Sequence, residues 1–149
     1  MEAELADDTT QLNRIADPGF NRWQTALLEP EAAPIVRLLD SRVAEPVADS
    51  PPEVTILATG GARTTYEVTT PNSAFLILSE PYFPGWLATI DGQPAPLLRA
   101  DFALRAVPVA AGQHTVELTF RPLSFIIGAI ISAATVGVLL LLFVWWRLK

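Results

Sequence analysis

The chain has 149 residues, a net charge of −6 and no cysteine. Without cysteine there is no disulfide framework, thiolate metal site or redox motif. All 16 acidic residues lie before residue 123, in a part that contains no lysine, which argues against nucleic acid as a partner. Residues 1–122 suffice for one domain with a core of ordinary size.

Residues 1–53 are predicted to form an N-terminal extension with a short helix, one or two strands and a proline-rich linker. The helix falls within residues 1–16 and is capped by Thr9 or Thr10. Its apolar side is formed by Leu12 and Ile15.

The first strand is predicted over residues 23–29. Residues 30–53 are typical of a loop or linker around one possible strand over residues 35–39. Five prolines support the linker: Pro30, Pro34, Pro46, Pro51 and Pro52.

Residues 1–18 have neither the positive region nor the apolar stretch of a signal peptide. Two explanations stay open. Either the chain is the last piece of a longer protein with several membrane helices, or its body is cytoplasmic and the topology is reversed. The first explanation is favoured.

From residue 54 onward, apolar and polar residues alternate with a period of two, which predicts strands. Residues 54–58 and 64–70 are predicted strands on either side of a turn at Gly60-Gly61. Residues 74–78 are apolar on both faces, which predicts a central strand covered on both sides.

A hairpin is predicted around Asp91-Gly92, because Asp-Gly favours a type I′ turn, in which both central residues need φ > 0. The pairing puts the apolar residues of both strands on one face. Pro94 and Pro96 then lack N–H groups that would have pointed away from the hairpin, so their strand is an edge strand. A two-residue loop pairs Ile90 with Gln93, Ala88 with Ala95 and Trp86 with Leu97.

Two more strands are predicted over residues 102–109 and 115–120. The second places Val116, Leu118 and Phe120 inward. Residues 54–122 are therefore predicted to be the core of an antiparallel β-sandwich ectodomain. The fold class is mainly β, followed by a single C-terminal transmembrane α-helix.

The transmembrane helix is predicted over residues 123–146, which carry no charge. At about 1.5 Å per residue such a helix spans roughly 36 Å, enough to cross a hydrocarbon core of about 30 Å. Arg147 and Lys149 follow it, against Arg121 alone at the other end. The positive-inside rule makes residues 147–149 a cytoplasmic tail and the soluble domain extracytoplasmic.

Small residues recur along this helix and would let another helix approach closely. They are Gly128, Ala129, Ser132, Ala133 and Gly137. The expected partners are therefore the lipid bilayer and other transmembrane helices, either of a polytopic partner or of a second copy.

Few residues carry candidate chemistry. His114 has no Ser, Cys or second His at useful spacing, so a structural role is favoured over catalysis, and Asp91 is explained by its turn. Arg105 pairs with a carboxylate such as Asp101, faces solvent or binds a ligand. No phosphate-binding glycine loop, metal-ligand cluster or nucleophile triad is found, so no catalytic, metal-binding or cofactor-binding residue is predicted.

Three clustered aromatic residues, Tyr82, Phe83 and Trp86, lie in and beside a loop with two prolines. Such residues either stack on a sugar or close the end of a β-sandwich core. Together with Arg105 they are the candidate ligand-binding residues, and the candidate ligand is a cell-envelope glycan.

Several motifs follow one another in a fixed order, and each is weak alone. They are EPYFPGW at residues 80–86, DG at 91–92, RAV at 105–107, AGQHTV at 111–116, RP at 121–122 and the apolar helix, with ADPGF upstream at 16–20. Together they resemble the C-terminal end of the YfhO family of bacterial membrane proteins, most densely from residue 79 to about residue 128. Ala110 stands where that family usually has a proline.

The resemblance implies a bacterial cytoplasmic membrane protein related to glycosyltransferases that use lipid-linked sugars. In that family the catalytic acidic residues are expected in loops between early membrane helices, so none is carried over to this chain. The resemblance implies a non-catalytic C-terminal extracytoplasmic domain with its membrane anchor, as a fragment or split subunit. The alternative is a free-standing membrane-anchored carbohydrate-binding or structural module.

Overall fold

A computed structural model describes residues 2–21, 24–41 and 51–149. In these ranges ten strands form two five-stranded sheets, and a 25-residue apolar helix follows them. The predicted fold class, a mainly β protein with one C-terminal helix, is confirmed.

The strands of the described chain are β1 (Glu2–Leu5), β2 (Thr25–Leu28), β3 (Glu53–Gly60), β4 (Arg63–Thr70), β5 (Ala74–Pro81), β6 (Trp86–Ile90), β7 (Gln93–Ala95), β8 (Leu98–Ala100), β9 (Leu104–Val109) and β10 (Gly112–Phe120). The helices are α1 (Asp8–Ala16), α2 (Ala33–Ser41) and α3 (Leu123–Arg147), and a short 3-10 helix (Pro30–Ala32) precedes α2.

The first sheet has the strand order β1-β2-β8-β9-β5, and the second has the order β3-β4-β10-β6-β7. β1 and β2 run parallel, and the other paired strands run antiparallel. A parallel pair needs a crossover connection, and α1 lies in it. Through β1 and β2 the N-terminal residues become part of the same sheet as β8.

The main core lies between the two sheets, and a second cluster lies on the outer face of the first sheet under α2. Neighbouring residues of β9 show the division, because Val107 belongs to the inner cluster and Ala106 to the outer one. The inner cluster contains Tyr66, Val68, Leu76, Leu78, Ala88, Val107, Val109, Val116 and Leu118.

The hairpin has the predicted turn and register. Asp91 and Gly92 have φ of 50° and 77°, as a type I′ turn requires. Ile90 pairs with Gln93 and Ala88 pairs with Ala95. β7 ends at Ala95 and forms the edge of the second sheet, so the expected ladder pair of Trp86 and Leu97 is not made.

The position of β5 differs from the prediction. Both of its faces are covered, since Phe75 lies in the outer cluster and Leu76 in the inner one. However, β5 is the last strand of its sheet and not a central one. An apolar run indicates that both faces of a strand are covered. It does not indicate whether the strand is hydrogen-bonded to a neighbour along each of its two edges.

Residues 35–39, predicted as a strand, lie in α2. Pro34 is its second residue, a first-turn position where proline costs no hydrogen bond. Val36 and Leu39 are three residues apart and both pack on the outer cluster. A five-residue stretch with four apolar residues fits a strand and a helical turn equally well, and here the packing against the outer cluster favours the helix.

The first helix is present, but its cap and its buried side differ from the prediction. Asp7, not Thr9 or Thr10, is the N-cap, and its carboxylate accepts a hydrogen bond from the Thr10 N–H at 2.9 Å. The buried residue is Gln11, whereas Leu12 is 47% exposed. The strand predicted over residues 23–29 is present as β2 (Thr25–Leu28), whereas Trp23 and Pro46 lie outside the described residues.

The strand predicted over residues 102–109 begins only at Leu104. Asp101 and Phe102 have positive φ and form a turn that connects β8, which was not predicted, to β9. β9 continues through Pro108, which pairs with Phe75 of β5, and β8 has already ended before that point.

Candidate functional site

The loop between β5 and β6 lies against the start of α3. This segment, residues 82–85, is called the aromatic loop below. The N–H of Arg121 donates a hydrogen bond to the carbonyl of Gly85 at 2.6 Å. Gly85 has φ of 106°, and a Cβ there would lie 3.0 Å from the Cα of Pro122. Glycine is therefore required for the close approach of the loop to the chain that leads into the helix.

Trp86, the first residue of β6, connects this loop to the core. Its side chain is half-buried and packs against the inner cluster. Its ring centroid lies 5.2 Å from that of Phe120, which is its partner in the ladder between β6 and β10. Trp86 thus closes one end of the sandwich, as one of the two interpretations of the aromatic cluster predicted.

Arg105 lies across the sandwich from Trp86, with its Cζ 4.1 Å from the centroid of the indole ring. The residue is only 2% exposed, and its Nη2 forms an ion pair with the carboxylate of Glu80. Its Nε and Nη1 have no hydrogen-bond partner among the described residues. Burial lowers the pKa of Arg105 from its usual value, although an arginine stays charged at any ordinary pH.

Of the alternatives for Arg105, pairing with a carboxylate is confirmed, although the partner is Glu80 and not Asp101. The alternative that Arg105 faces solvent is wrong. The carboxylate of Asp101 accepts a hydrogen bond from the N–H of Leu27 at 3.0 Å. Asp101 belongs to a turn that fastens β2 to β8. Because the contacting residues are far apart in the chain, no short sequence motif could have predicted this role.

Tyr82 and Phe83, the other two candidate ligand-binding residues, are 39% and 59% exposed. The ring of Phe83 lies 6.4 Å from that of Phe120, centroid to centroid. The structure therefore brings all four predicted residues to one end of the sandwich, with Trp86 and Arg105 stacked on each other and Tyr82 and Phe83 outside. Ligand binding by these residues stays a prediction.

His114 and Asp91 form a contact at the hairpin turn. The Nδ1 of His114 lies 2.7 Å from Oδ2 of Asp91, and the N–H of Thr115 donates to Oδ1 at 2.8 Å. The hydrogen bond to His114, followed by that from Thr115, lowers the pKa of Asp91. Both residues fasten the turn to β10.

Sequence reasoning missed an ion-pair network around Arg99 in β8. Its Nη2 lies 2.5 Å from carboxylate oxygens of both Asp8 and Glu29, and its Nη1 donates to the carbonyl of Phe102 at 3.1 Å. The hydrogen bond to Glu29 is the main cause that raises the pKa of Arg99. The partners are 70 and 91 residues away in sequence, so no short motif could have indicated them.

An apolar groove of about 780 Å³ runs along the edge of β5. Phe75, Ile77 and Val54 are among its lining residues, with Ile15 and Phe20 from the N-terminal part. None of the four candidate ligand-binding residues lines it.

The helix α3 is long and apolar enough to cross a membrane, with a mean hydropathy of 2.6 and no residue buried by the rest of the structure. At its end Nζ of Lys149 lies 4.1 Å from the ring centroid of Trp145. The predicted helix-packing residues Gly128, Ala129, Ser132, Ala133 and Gly137 are all exposed on its surface. Their contact with another helix stays a prediction.

Comparison with known proteins gives two matches. A family model described as bacterial membrane protein YfhO matches residues 34–132. The uncharacterized protein YfhO of Bacillus subtilis (strain 168) is 33% identical over 70 residues, which cover 47% of this chain and 8% of the relative. No solved structure matches the chain. The family match contains the residues from 79 to 128 on which the resemblance rests, and it confirms that resemblance.

Proposed function

The chain belongs to the YfhO family of bacterial membrane proteins, and we propose that it acts as a non-catalytic extracytoplasmic domain with its membrane anchor. In this proposal it is the terminal domain, or a separate subunit, of a larger protein related to membrane glycosyltransferases. The curated relative supports the relation to a larger protein, because the matched region covers only 8% of its length.

One observation carries the proposal: the sandwich is fastened directly to the helix. The hydrogen bond from Arg121 to Gly85 joins the aromatic loop to the residue before Pro122, and α3 begins at the next residue, Leu123. A domain built to be held at a fixed place on the membrane needs such a junction. A module that searches for a distant ligand would gain from a flexible linker instead.

Several charged residues of the described chain make structural contacts. Arg105 pairs with the exposed Glu80 at the end of the sandwich, and Asp91 contacts His114 at the hairpin turn. Arg99 joins Asp8 and Glu29 across three elements of the fold. These contacts support an accessory role. We expect purified chain 1–149 to show no turnover of a lipid-linked sugar, and measurable turnover would refute the accessory role.

The sidedness can be tested because the chain has no cysteine, so an introduced one is unique. Gln93→Cys lies at the exposed hairpin turn, and Lys149→Cys lies in the predicted cytoplasmic tail. A membrane-impermeant maleimide added to intact spheroplasts should label Gln93→Cys only. Lysis of the cells should then allow labelling of Lys149→Cys. The reverse pattern would place the sandwich in the cytoplasm.

A second candidate function, a carbohydrate-binding module, draws support from the exposure of Tyr82 and Phe83. Aromatic rings that lie open beside a loop suit the apolar face of a sugar. Binding of cell-envelope glycan to the full chain, lost in Tyr82→Ala and Phe83→Ala variants, would favour this function. The helix-packing residues would in either case contact other transmembrane helices, of a partner or of a second copy.

A further inference from the structure

The aromatic loop has a defined height relative to the bilayer, because it touches the residues that precede α3. The carbonyl of Gly85 accepts the hydrogen bond from Arg121, and a Cβ added at Gly85 would lie only 3.0 Å from the Cα of Pro122. The ring of Phe83 lies 6.4 Å from that of Phe120, three residues before the helix begins. Wherever the start of α3 lies in the membrane, the aromatic loop lies beside it.

The length of the helix places its start at the level of the lipid headgroups. Trp145 and Trp146 mark one interface, where indole rings prefer to lie. The hydrocarbon core takes about 20 residues, so counting back from Trp145 reaches Phe125 at the opposite boundary. Pro122 is three residues, or roughly 4.5 Å, further out. The headgroup layer is roughly 5–8 Å thick on each side, so Pro122 falls within it.

The chemistry of the loop fits this layer. Phe83 is 59% exposed and Tyr82 is 39% exposed, and the neighbouring Leu87 is 55% exposed. Tyrosine combines an apolar ring with a polar hydroxyl, the combination that is enriched at both membrane interfaces. The one acidic residue of the segment 79–87, Glu80, is paired with Arg105. The exposed Arg121 beside the loop adds a positive charge that lipid phosphates attract.

We propose that the aromatic loop lies in the lipid–water interface of the bilayer that α3 crosses, and that this contact holds the sandwich in one orientation on the membrane. Tyr82 and Phe83 are the lipid-contacting residues, and their partner is the headgroup region. The hydrogen bond from Arg121 to Gly85 fixes the sandwich to the start of α3, but the helix itself can still tilt in the bilayer. The loop supplies a second point of attachment beside the first.

The test uses the full chain in lipid nanodiscs, where both faces of the bilayer are accessible. An environment-sensitive fluorophore is attached to Phe83→Cys, and in separate samples to Gln93→Cys and Val136→Cys. Gln93 lies at the hairpin turn and is the water-exposed control, whereas Val136 lies near the middle of α3 and is the bilayer control. Quenching is measured with aqueous iodide and with lipids that carry a nitroxide either near the headgroup or deep in the chain.

The Phe83 label should show blue-shifted emission relative to the Gln93 label, and severalfold weaker quenching by iodide. It should be quenched best by the nitroxide near the headgroup, while the Val136 label is quenched best by the deep one. If the Phe83 label is quenched by iodide as strongly as the Gln93 label, the loop is in water and the proposal is wrong. Protection from iodide and from both lipid quenchers would mean burial in protein, which also overturns it.

The control labels distinguish failure of the loop contact from failure of the membrane anchor. A Val136 label in the bilayer with a Phe83 label in water refutes the loop contact and leaves the anchor intact. Tyr82→Cys provides a second label site in case Phe83→Cys disturbs the packing against Phe120, and it should give the same pattern. A Phe83 label that is open to iodide and becomes protected on addition of a glycan would assign the loop to carbohydrate instead.

Discussion

The guanidinium group of Arg105 lies over the indole ring of Trp86, 4.1 Å from the ring centroid to Cζ. Arg105 belongs to the first sheet and Trp86 to the second, so this cation–π contact connects the two sheets at the end that faces α3. Glu80 pairs with Arg105 from the segment that leads into the aromatic loop. The closure of the sandwich and the seating of the loop therefore depend on the same side chains.

Trp86→Ala should destabilise the sandwich by about 2–4 kcal/mol, somewhat less than the 3–5 kcal/mol typical of a fully buried aromatic, because Trp86 is half-buried. The substitution removes the contacts with Phe120 and Arg105 together. The measurement is thermal or chemical unfolding of the full chain in detergent, followed by the β-sheet signal. Phe83→Ala is the matched control and should cost less than about 0.5 kcal/mol, because Phe83 is exposed. Equal effects of the two variants would contradict the core role of Trp86.

The ion pair of Arg105 and Glu80 should show strong coupling in a double-mutant cycle. Glu80→Gln leaves a buried cation with a weaker partner and should cost about 1–3 kcal/mol. Arg105→Met keeps most of the volume and removes the buried charge, so its cost should be small. In the double variant the Glu80→Gln change should then have little further effect. Additive effects in the same unfolding assay would show that the pair does not contribute as described.

The contact of Asp91 with His114 makes a pH-dependent contribution to stability. The pKa of Asp91 is lowered in the folded chain, so between the folded and unfolded values the unfolded chain binds more protons. The contribution is present above the ordinary aspartate value of about 3.9 and is lost as the pH falls through the lower folded value. Asp91→Asn should therefore have a lower melting temperature than the natural chain at pH 6, and the difference should shrink below about pH 4. A difference that stays constant across this range would argue against the prediction.

Gly85→Ala should disturb the junction with α3. The added Cβ meets Pro122 at 3.0 Å and the backbone has φ of 106°, so we expect a loss of more than about 1 kcal/mol in the free energy of unfolding. Gly61→Ala is the control, since Gly61 has φ of 54° but open space around it. Gly61→Ala should lower the free energy of unfolding by only about 1 kcal/mol, the cost of placing a side chain on a backbone with positive φ. If the two variants lose the same amount, the contact with Pro122 is unimportant.

Ala133→Leu should weaken the association of α3 with another helix, because a larger side chain keeps the backbones apart. Ala134→Leu makes the same chemical change one residue later, about 100° around the helix and away from the small residues. The measurement is the yield of crosslinked species in membranes. Reduced crosslinking in Ala133→Leu alone is expected, and equal yields in both variants would count against the packing surface.

The parts of the fold that sequence could predict were those with local chemical causes. Asp91-Gly92 selects its turn through backbone conformation, and the turn sets the register of Ala88 and Ala95. The prolines at 94 and 96 require an edge strand on the same local grounds. The uncharged run before Arg147 likewise needs no tertiary context to be assigned as a helix of membrane length.

The parts that failed depend on contacts between distant residues. Arg105 is closer in sequence to Asp101 than to Glu80, but β5 and β9 are neighbours in the sheet, and their pairing brings Glu80 to it. The helix α2 could not be distinguished from a strand, because the cluster that Val36 and Leu39 cover is formed by other segments. For the candidate site, composition indicated the aromatic cluster, but its position beside α3 required the hydrogen bond between Arg121 and Gly85.

The hydrogen bond between Arg121 and Gly85 also makes the sandwich a mechanical extension of the helix. β10 leads through Phe120 towards Pro122 and has nine residues, so it extends roughly 30 Å from the junction to Gly112. If α3 changes its tilt by about 20°, an ordinary value for membrane helices, the far end of the sandwich is displaced by about 10 Å. A tilt of the helix in the bilayer would thus displace the end of the sandwich at Gly112 most, and it would displace the hairpin turn at Asp91, which lies beside Thr115, by about half as much.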